Sequence, residues 1–546
     1  MIMHAIDFAK LAGRPKLFLD FISCLEPACR FYLYDFKRID SYRRVAEQID
    51  KTDYPRKKLA SIITEATSRS DFSAGTKENI KRLARPDSLC VFAGQQAGLL
   101  LGPMYTVLKA LTAYKLAKYL EDKLGRPVIP CFWMATDDHD FDEVKTAWFL
   151  DRDGNSRLIS YEPGFKPSGA PIADIKFDDQ IEEFTLSVEE TLIDTEFKDA
   201  VKSWLRRIYR PGKRLSVSFL DLFETVLRDF GIVPVDPNFP GMKALFEPVM
   251  RRDIENHDKV FELFENRSRE IVDCGYHRQV HKPSNALNLF INDGIRRNII
   301  IKDNSFYIDG QGRDNQKLDY DVSALLHDNP EKFSPNVILR PIAQCFAFPT
   351  ISQIVGPSEA AYFAQIAPLY DFHDVPWPVI RPRIFATLIE PQIAKIMRKL
   401  SIDFGGLVND IEFEIGRVIG ENYQPEIQLK AENMRSKIEG PLNSLAESIK
   451  AQDLESYQAL EHTRRKIDHE LNHLSKKLFM AHKKKHDEIS RQVHKAAAFL
   501  LPDGKFQERI LSPIYFADKF GPDIFKWLEG KLDLDSTAHQ LLEIGA

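Results

Sequence analysis

Residues 89–144 read LCVFAGQQAGLLLGPMYTVLKALTAYKLAKYLEDKLGRPVIPCFWMATDDHDFDEV, and this stretch decides the fold. Leu89 to Ala93 is a short apolar run ending in Gly94, the pattern of a strand buried on both faces. A glycine-spaced loop follows. Gly102-Pro103 then opens a helix, since proline lacks only an N–H that the first turn leaves unpaired anyway. Val107, Leu108, Leu111, Tyr114 and Leu116 carry this helix toward Leu124, and Gly125 closes it. Pro127 to Ala135 is a second apolar strand. Strand, helix and strand within about 45 residues make a βαβ unit, so an α/β protein with a parallel sheet is expected.

Working outward, the stretch before Leu83 reads as helical, with Asp40-Ser41 capping a stripe of Tyr42, Val45 and Ile49. Residues 146–330 mix short β-like runs, acidic loops and helices. Asp151-Arg152-Asp153-Gly154-Asn155 and Ile308-Asp309-Gly310-Gln311-Gly312 read as turns, and Phe230 to Pro237 as a further sheet strand with its loop. Sheet character is expected again at Val337–Pro341, Ile351–Val355 and Pro378–Ile380. From Glu390 the chain turns helical and charged. Ile438, Leu442, Leu445 and Ile449 form one stripe, and Ile467, Leu471, Leu474, Leu478 and Ala481 another, at coiled-coil spacing. Gln452-Asp453 between them suits a hairpin turn, so the helices run antiparallel and leave an apolar stripe for a third helix or a second subunit. Phe516, Phe520, Phe525 and Trp527 mark a return to globular composition. The divisions expected are 1–145, 146–330 as an insertion, 331–390 returning to the sheet, 391–500 as the coiled coil, and 501–546 packing back on the core.

Over 546 residues, hydrophobic side chains are 44% and charged ones 28%, a globular balance that needs no metal or disulfide staple. Lys+Arg 75 against Asp+Glu 80 leaves a net charge of -5, which argues against nucleic acid or an anionic membrane as a general partner. No apolar run approaches the roughly 18 residues of a membrane span. Asp7 and Lys10 interrupt any signal-peptide core. The 6 cysteines form no CxxC pair, and Cys90, Cys131 and Cys345 sit inside apolar runs as buried thiols. A reduced, cytoplasmic protein is expected.

Three segments carry chemistry. Gly94-Gln95-Gln96-Ala97-Gly98, continuing to Gly102 and Tyr105, leaves a strand and enters a helix, where free amides and the helix dipole favour an anion. It is neither a Walker loop nor GxGxxG, and a tight packing turn explains the glycines equally well. Trp133 to Val144 sets Asp137, Asp138, Asp140, Asp142, Glu143 and His139 just beyond a parallel strand's C-terminal end, where such sheets bind ligands. His139 suits a general base or a ring oriented by Asp137. Capping explains two of the acids; five with His and Trp favour a site. Arg340, followed by Val355-Gly356-Pro357-Ser358-Glu359 and Tyr362, supplies a guanidinium for a carboxylate or phosphate, and Glu359 and Tyr362 share a helix face. The plainer reading pairs Arg340 with a sheet acid and makes Glu359 a cap. Lys476-Lys477, Lys483-Lys484-Lys485, His469, His473 and His482 read as solvated faces, and no metal site is expected.

GQQAGLLLGPMYTVLKA, WMATDDHDFDEV, the RP…GPSEAAYFAQ stretch and LLPDGKFQERILSP together resemble the BshC family, the cysteine-adding enzymes of bacillithiol biosynthesis. The likeness runs from Leu89 to Leu528. It implies a Rossmann-like parallel-sheet core related to class I synthetases, mixed α+β connecting-peptide insertions, and an antiparallel coiled-coil domain that forms a homodimer. It implies a ligase joining L-cysteine, through its carboxylate, to the amine of glucosaminyl-malate. Departures exist: the family's GGPGE turn is VGPSE at 355–359, Leu108 stands where an aromatic or His is frequent, and no HIGH or KMSKS signature occurs.

Amide formation in water runs uphill, so the carboxylate must be activated, most simply by ATP. The enzyme then needs an anion cradle, for which Gly94–Gly102 is the candidate, and acids for cysteine's ammonium. It also needs a base, Asp138 or His139, and cations for malate, Arg340 and Lys109. Asp137, Asp138, His139 and Asp140 are thus the expected catalytic group. Gly94, Gln95, Gln96, Gly98, Gly102, Tyr105, Lys109, Trp133, Arg340, Gly356, Glu359 and Tyr362 are expected to bind substrate. Because the synthetase lysine loop is absent, ATP or ADP is expected to bind weakly at the core site; a second site near Lys505, Phe506 and Arg509 is the candidate, against the plainer reading that this segment only packs the C-terminus back on the core. A non-catalytic nucleotide-binding dimeric scaffold is the alternative, and a nucleotidyltransferase a weaker one.

Overall fold

A computed structural model describes residues 2–11, 13–68, 70–167, 169–303, 305–310, 315–319, 321–423, 425–450, 453–483 and 487–545. Gln311-Gly312 of the second turn, Gln452 of the hairpin turn and Lys484-Lys485 lie outside them. The chain divides into two units: Met1–Ala9, Gly13–Thr387 and Lys505–Leu542 form the first, and Lys10–Ala12, Leu388–Gly504 and Glu543–Ala546 the second.

The first unit is organised by a five-stranded, all-parallel sheet. Its spatial order is Val379–Pro382, Thr350–Val355, Leu89–Gln95, Val128–Met134 and Val233–Val235. Leu89 to Ala93 and the whole of Val128–Met134 are buried, which is why they read as unbroken apolar runs rather than alternating ones. The two central strands are in register from Leu89↔Val128 to Gln95↔Met134. Helix Tyr105–Leu124 makes the crossover between them and buries Val107, Leu108, Leu111, Leu116 and Leu120. It ends where Gly125 turns left-handed at φ 65 and its N–H bonds Glu121 O. In chain order the strands run outward in one direction from Leu89–Gln95, then restart on its other side at Thr350–Val355. That reversal opens a crevice at the strands' C-terminal ends.

The chain leaves the sheet between Val128–Met134 and Val233–Val235, and again between Val233–Val235 and Thr350–Val355. The hairpin Thr146–Leu150/Ser156–Ser160 turns at Asp151, whose Oδ1 accepts the Asn155 N–H at 2.9 Å. Helices follow to Asp273. A second, antiparallel sheet then forms in the order Gln316–Lys317, Ser305–Ile308, Arg296–Lys302, Ala286–Asn292 and Phe333–Pro335.

Several expectations need correction. Val337–Pro341 is not a strand. The strand stops at Pro335, and Asn336 Oδ1 accepts the Ile338 and Leu339 N–H groups, turning the chain into helix Arg340–Ala347. Helix Ile39–Ile49 is flanked by Arg38 rather than capped by Asp40-Ser41, although Tyr42, Val45 and Ile49 are buried as the stripe requires. The crossover helix starts at Tyr105, past Gly102-Pro103. The N-terminal stretch also carries strand Ile2–Ile6, antiparallel to His539–Glu543.

In the second unit Pro391–Leu400 and Ile411–Tyr423 pack on Asp487–Leu500, and the long helices Pro425–Lys450 and Leu454–Lys483 form a hairpin. Arg435 reaches Asp468 at 3.5 Å and Asn472 at 3.4 Å, as antiparallel pairing demands. Ile438, Leu442, Ile467 and Leu471 are half-buried, whereas Leu445, Leu474 and Leu478 remain 43–48% exposed. His469, His473, Lys476 and Lys477 face solvent. Among the described residues no helix is long and apolar enough to cross a membrane.

Glu508 fastens the C-terminal segment to the sheet edge. It meets Arg383 through two hydrogen bonds, of 2.6 and 2.9 Å, and accepts the Ala386 N–H at 3.0 Å, entirely out of water. Burial raises its pKa, yet the Arg383 guanidinium wins and holds the carboxyl below the usual range. A depressed folded pKa contributes stability at neutral pH that disappears as pH falls through the folded value. Glu508→Gln should therefore cost about 3–5 kcal/mol at pH 7 by leaving Arg383 unpaired. In urea denaturation its gap to the wild type should narrow in acid.

Candidate active site

A cleft of about 920 Å³ opens off the C-terminal ends of the parallel strands in the first unit. It gathers Gly94, Gln95, Gln96, Tyr105, Lys109, Trp133, Asp137, Asp138, His139, Arg340, Gly356, Glu359, Tyr362 and Arg509 from the residues singled out in the sequence. Gly98, Gly102, Asp140, Lys505 and Phe506 do not line it.

The glycine loop packs into the core through the buried Leu99, Leu100 and Leu101, and several of its amides are bonded within the protein. The Gly98 N–H bonds Gln96 O, Leu100 N–H bonds the Tyr209 hydroxyl at 2.8 Å, Gly102 N–H bonds Leu99 O, and Met104 N–H bonds Leu511 O. A Cβ on Gly98 would stand 3.3 Å from Gly102 Cα, and one on Gly94 3.1 Å from Trp133 Cβ. These glycines thus serve close packing of backbone.

Lys109 is likewise committed within the protein rather than offered to a substrate. Its buried ammonium donates to Gly94 O and Gln95 Oε1, each at 2.9 Å, and pairs with Glu359 at 2.6 Å. Burial lowers its pKa and Glu359 opposes that shift. The same Glu359 oxygen accepts the Gly356 N–H at 2.7 Å, so Glu359 also caps helix Pro357–Phe372.

The acidic loop divides its labour. Asp137 is paired with the buried Lys243 at 2.9 Å and so does not orient His139. Asp138 takes Gln96 Nε2 at 2.7 Å on one oxygen and the His139 and Asp140 N–H groups on the other. Burial raises its pKa, but these bonds and the charge of Arg296 outweigh burial and hold it low. Asp140 caps the short helix Phe141–Val144, and Asp142 points into solvent beside Lys145. Glu143 lines the cleft and shares Gln96 Nε2 at 2.8 Å. Behind the loop, Thr136 and Asn238 bond the buried Asp236, whose pKa burial pushes up to about 6.

Donors line the same cleft. Arg340 bonds the Tyr362 hydroxyl at 2.9 Å and Gln344 Oε1 at 3.4 Å; among the described residues it has no carboxylate partner, so pairing with a sheet acid is not what holds it. Trp133 Nε1 and Gln344 Nε2 are fully buried and have no hydrogen-bond partner among the described residues, although both side chains line the cleft. Phe506 is unavailable to stack on a base, because its ring already packs at 4.0 Å under Arg14 and 4.9 Å from His539.

Sequence reading passed over Arg296, Gln344 and Lys243. None lies in a motif. Arg296 comes from the antiparallel insertion sheet, and only folding carries it to the end of Val128–Met134.

An α/β core with a polar cleft at the strand-order reversal defines a ligand-binding protein of Rossmann-like architecture. The model of the "Bacillithiol biosynthesis BshC, N-terminal Rossmann-like domain" matches residues 1–384, and that of the "Bacillithiol biosynthesis BshC, C-terminal coiled-coil domain" residues 386–544. The chain belongs to the BshC family. Relatives named "Putative cysteine ligase BshC" include those of Salinibacter ruber, 32% identical over 99% of this chain and 98% of that protein, and Solibacter usitatus, 28% identical over 98% of each. That of Chlorobaculum tepidum is 28% identical over 99% of each. A solved structure titled "putative arginyl t-RNA synthetase", from Campylobacter jejuni, aligns with a TM-score of 0.22 at 9% identity, too low to carry an argument.

The two fates of the loop acids are separable. Lys243→Met should leave Asp137 buried without its cation and cost about 3–5 kcal/mol in urea denaturation. Asp142→Asn should stay within about 0.5 kcal/mol of wild type.

Proposed function

We propose that the protein is a cysteine ligase of bacillithiol biosynthesis, forming an amide between the carboxyl of L-cysteine and the amine of glucosaminyl-malate. One observation carries this reading: a single cleft sets unsatisfied donors against acids and a histidine. Two buried N–H groups without acceptors each cost about 1–3 kcal/mol, so a ligand bearing oxygen anions completes that wall. Arg340 supplies the charge and the planar fork suited to a malate carboxylate. The acidic wall, with Asp138 held as an anion and Glu143 beside it, suits an ammonium that must bind and then lose a proton.

ATP is the activating co-substrate in this reading, because amide formation from a free carboxylate needs it. The Gly98, Leu100 and Gly102 amides are bonded within the protein, so in this reading that loop is a poor cradle for its phosphates. Arg509, exposed at the same cleft, is the cation that fits. The exposed Leu445, Leu474 and Leu478 support self-association through the helical hairpin.

Purified protein given L-cysteine, glucosaminyl-malate and ATP should yield the amide by mass spectrometry, and a strain lacking the gene should lose bacillithiol. Absence of product together with an unchanged thiol profile would sink the reading. Arg340→Met should lower kcat/KM roughly 10- to 150-fold, the worth of a charged hydrogen bond. Leu471→Lys with Leu474→Lys should convert a dimer to monomers in light scattering; an unchanged mass would place the interface elsewhere.

A further inference from the structure

Arg296 is the first residue of strand Arg296–Lys302 and lies only 7% exposed at the floor of the cleft. Its guanidinium is immobilised from three sides. Nε donates to Ser334 Oγ at 3.0 Å, Nη2 donates to Pro335 O at 3.2 Å, and the plane lies 3.7 Å over the Phe290 ring. The remaining nitrogen, Nη1, stands 3.4 Å from Nδ1 of His139.

Two groups compete for that ring nitrogen, and they demand opposite things of it. Asp138 Oδ1, at 3.7 Å, can only accept, and so asks Nδ1 to carry the proton. Arg296 can only donate, and so asks Nδ1 to carry the lone pair. Asp138 Oδ1 lies beyond hydrogen-bond range and is already bonded by the His139 N–H at 2.7 Å and the Asp140 N–H at 3.3 Å. Arg296 is nearer, and its other contacts prevent it from turning away. A proton on Nδ1 would face a fixed cation's N–H.

We propose that Arg296 is a positioning residue that sets the tautomer of His139, leaving the lone pair on Nδ1 and placing the ring proton on Nε2. His139, whose side chain is 34% exposed, then meets a ligand in the cleft as a donor. This deepens the ligase reading and rests on it for its role. As the amine nitrogen bonds the activated acyl carbon, the C–O bond to the nucleotide phosphate breaks and the electron pair stays on the phosphate oxygen. His139 Nε2–H stabilises the oxygen that carries charge in between, without giving up its proton. The amine proton goes to a carboxylate of the acidic loop. A histidine with this tautomer does not serve as the base through Nε2.

The test reads the ring itself and needs no substrate. In full-length protein with 15N-labelled histidine, the His139 signals are identified by their loss in His139→Gln. Long-range 1H–15N correlation at pH 8 should show Nδ1 in the unprotonated range and Nε2 in the protonated range. Arg296→Met should move Nδ1 toward the protonated range, as Asp138 becomes its only partner, while Arg296→Lys, which keeps a donor, should retain the wild-type pattern. A wild-type His139 protonated at Nδ1 overturns the proposal even if neither variant folds. An Arg296→Met spectrum identical to wild type also overturns it. The expected tautomer in a protein that makes no amide would refute the ligase reading alone.

Discussion

The buried ammonium of Lys109 is the constraint around which the cleft is built. Where strand order reverses, Leu89–Gln95 and Thr350–Val355 are neighbours whose following segments part in opposite directions. Lys109 bridges that parting. It holds Gly94 O and Gln95 Oε1 at the end of one strand and Glu359 at the start of the helix that follows the other. Taking an ammonium out of water costs several kcal/mol, so it persists only with its oxygens in place. The cation therefore fixes the spacing of both strand ends, and through Glu359 it fixes the Gly356 turn.

From that frame follows the separation of charge. The acids beyond Val128–Met134 are not a diffuse negative patch. Lys243 neutralises Asp137, Gln96 and two backbone amides hold Asp138, Asp140 ends as a helix cap, and Asp142 lies in solvent beside Lys145. Elsewhere on the cleft, Trp133 Nε1 and Gln344 Nε2 have no acceptor and Arg340 has no carboxylate partner among the described residues.

Membership of the BshC family and this geometry are independent observations that agree. The family match covers the chain, whereas the orphaned donors and the histidine–arginine contact belong to atoms. The second kind of observation divides the residues of one motif into those that line the cleft and those that do not.

Local sequence carried the central strands and the helix pair, though it misplaced a strand at Val337–Pro341 and a cap at Asp40-Ser41. Apolar runs at 89–93 and 128–134 can only be buried strands, and Gly125 must end a helix because its φ is left-handed. Stripes at 438–449 and 467–478 can only be a helix pair. The cluster at 137–143 stands beyond a strand end, so the place of Asp137, Asp138, His139 and Glu143 on the cleft was legible as well. What sequence could not carry was partnership across distance. The acids looked alike until Lys243 chose Asp137, and the glycine loop looked like an anion site until Tyr209 and Leu511 took its amides. Lys109 looked like a substrate cation until Glu359 claimed it, and Arg296 lay in no motif at all. Composition and period determine which segments are buried. Which charge is already paired depends on residues more than a hundred positions apart, and only the tertiary structure brings those together.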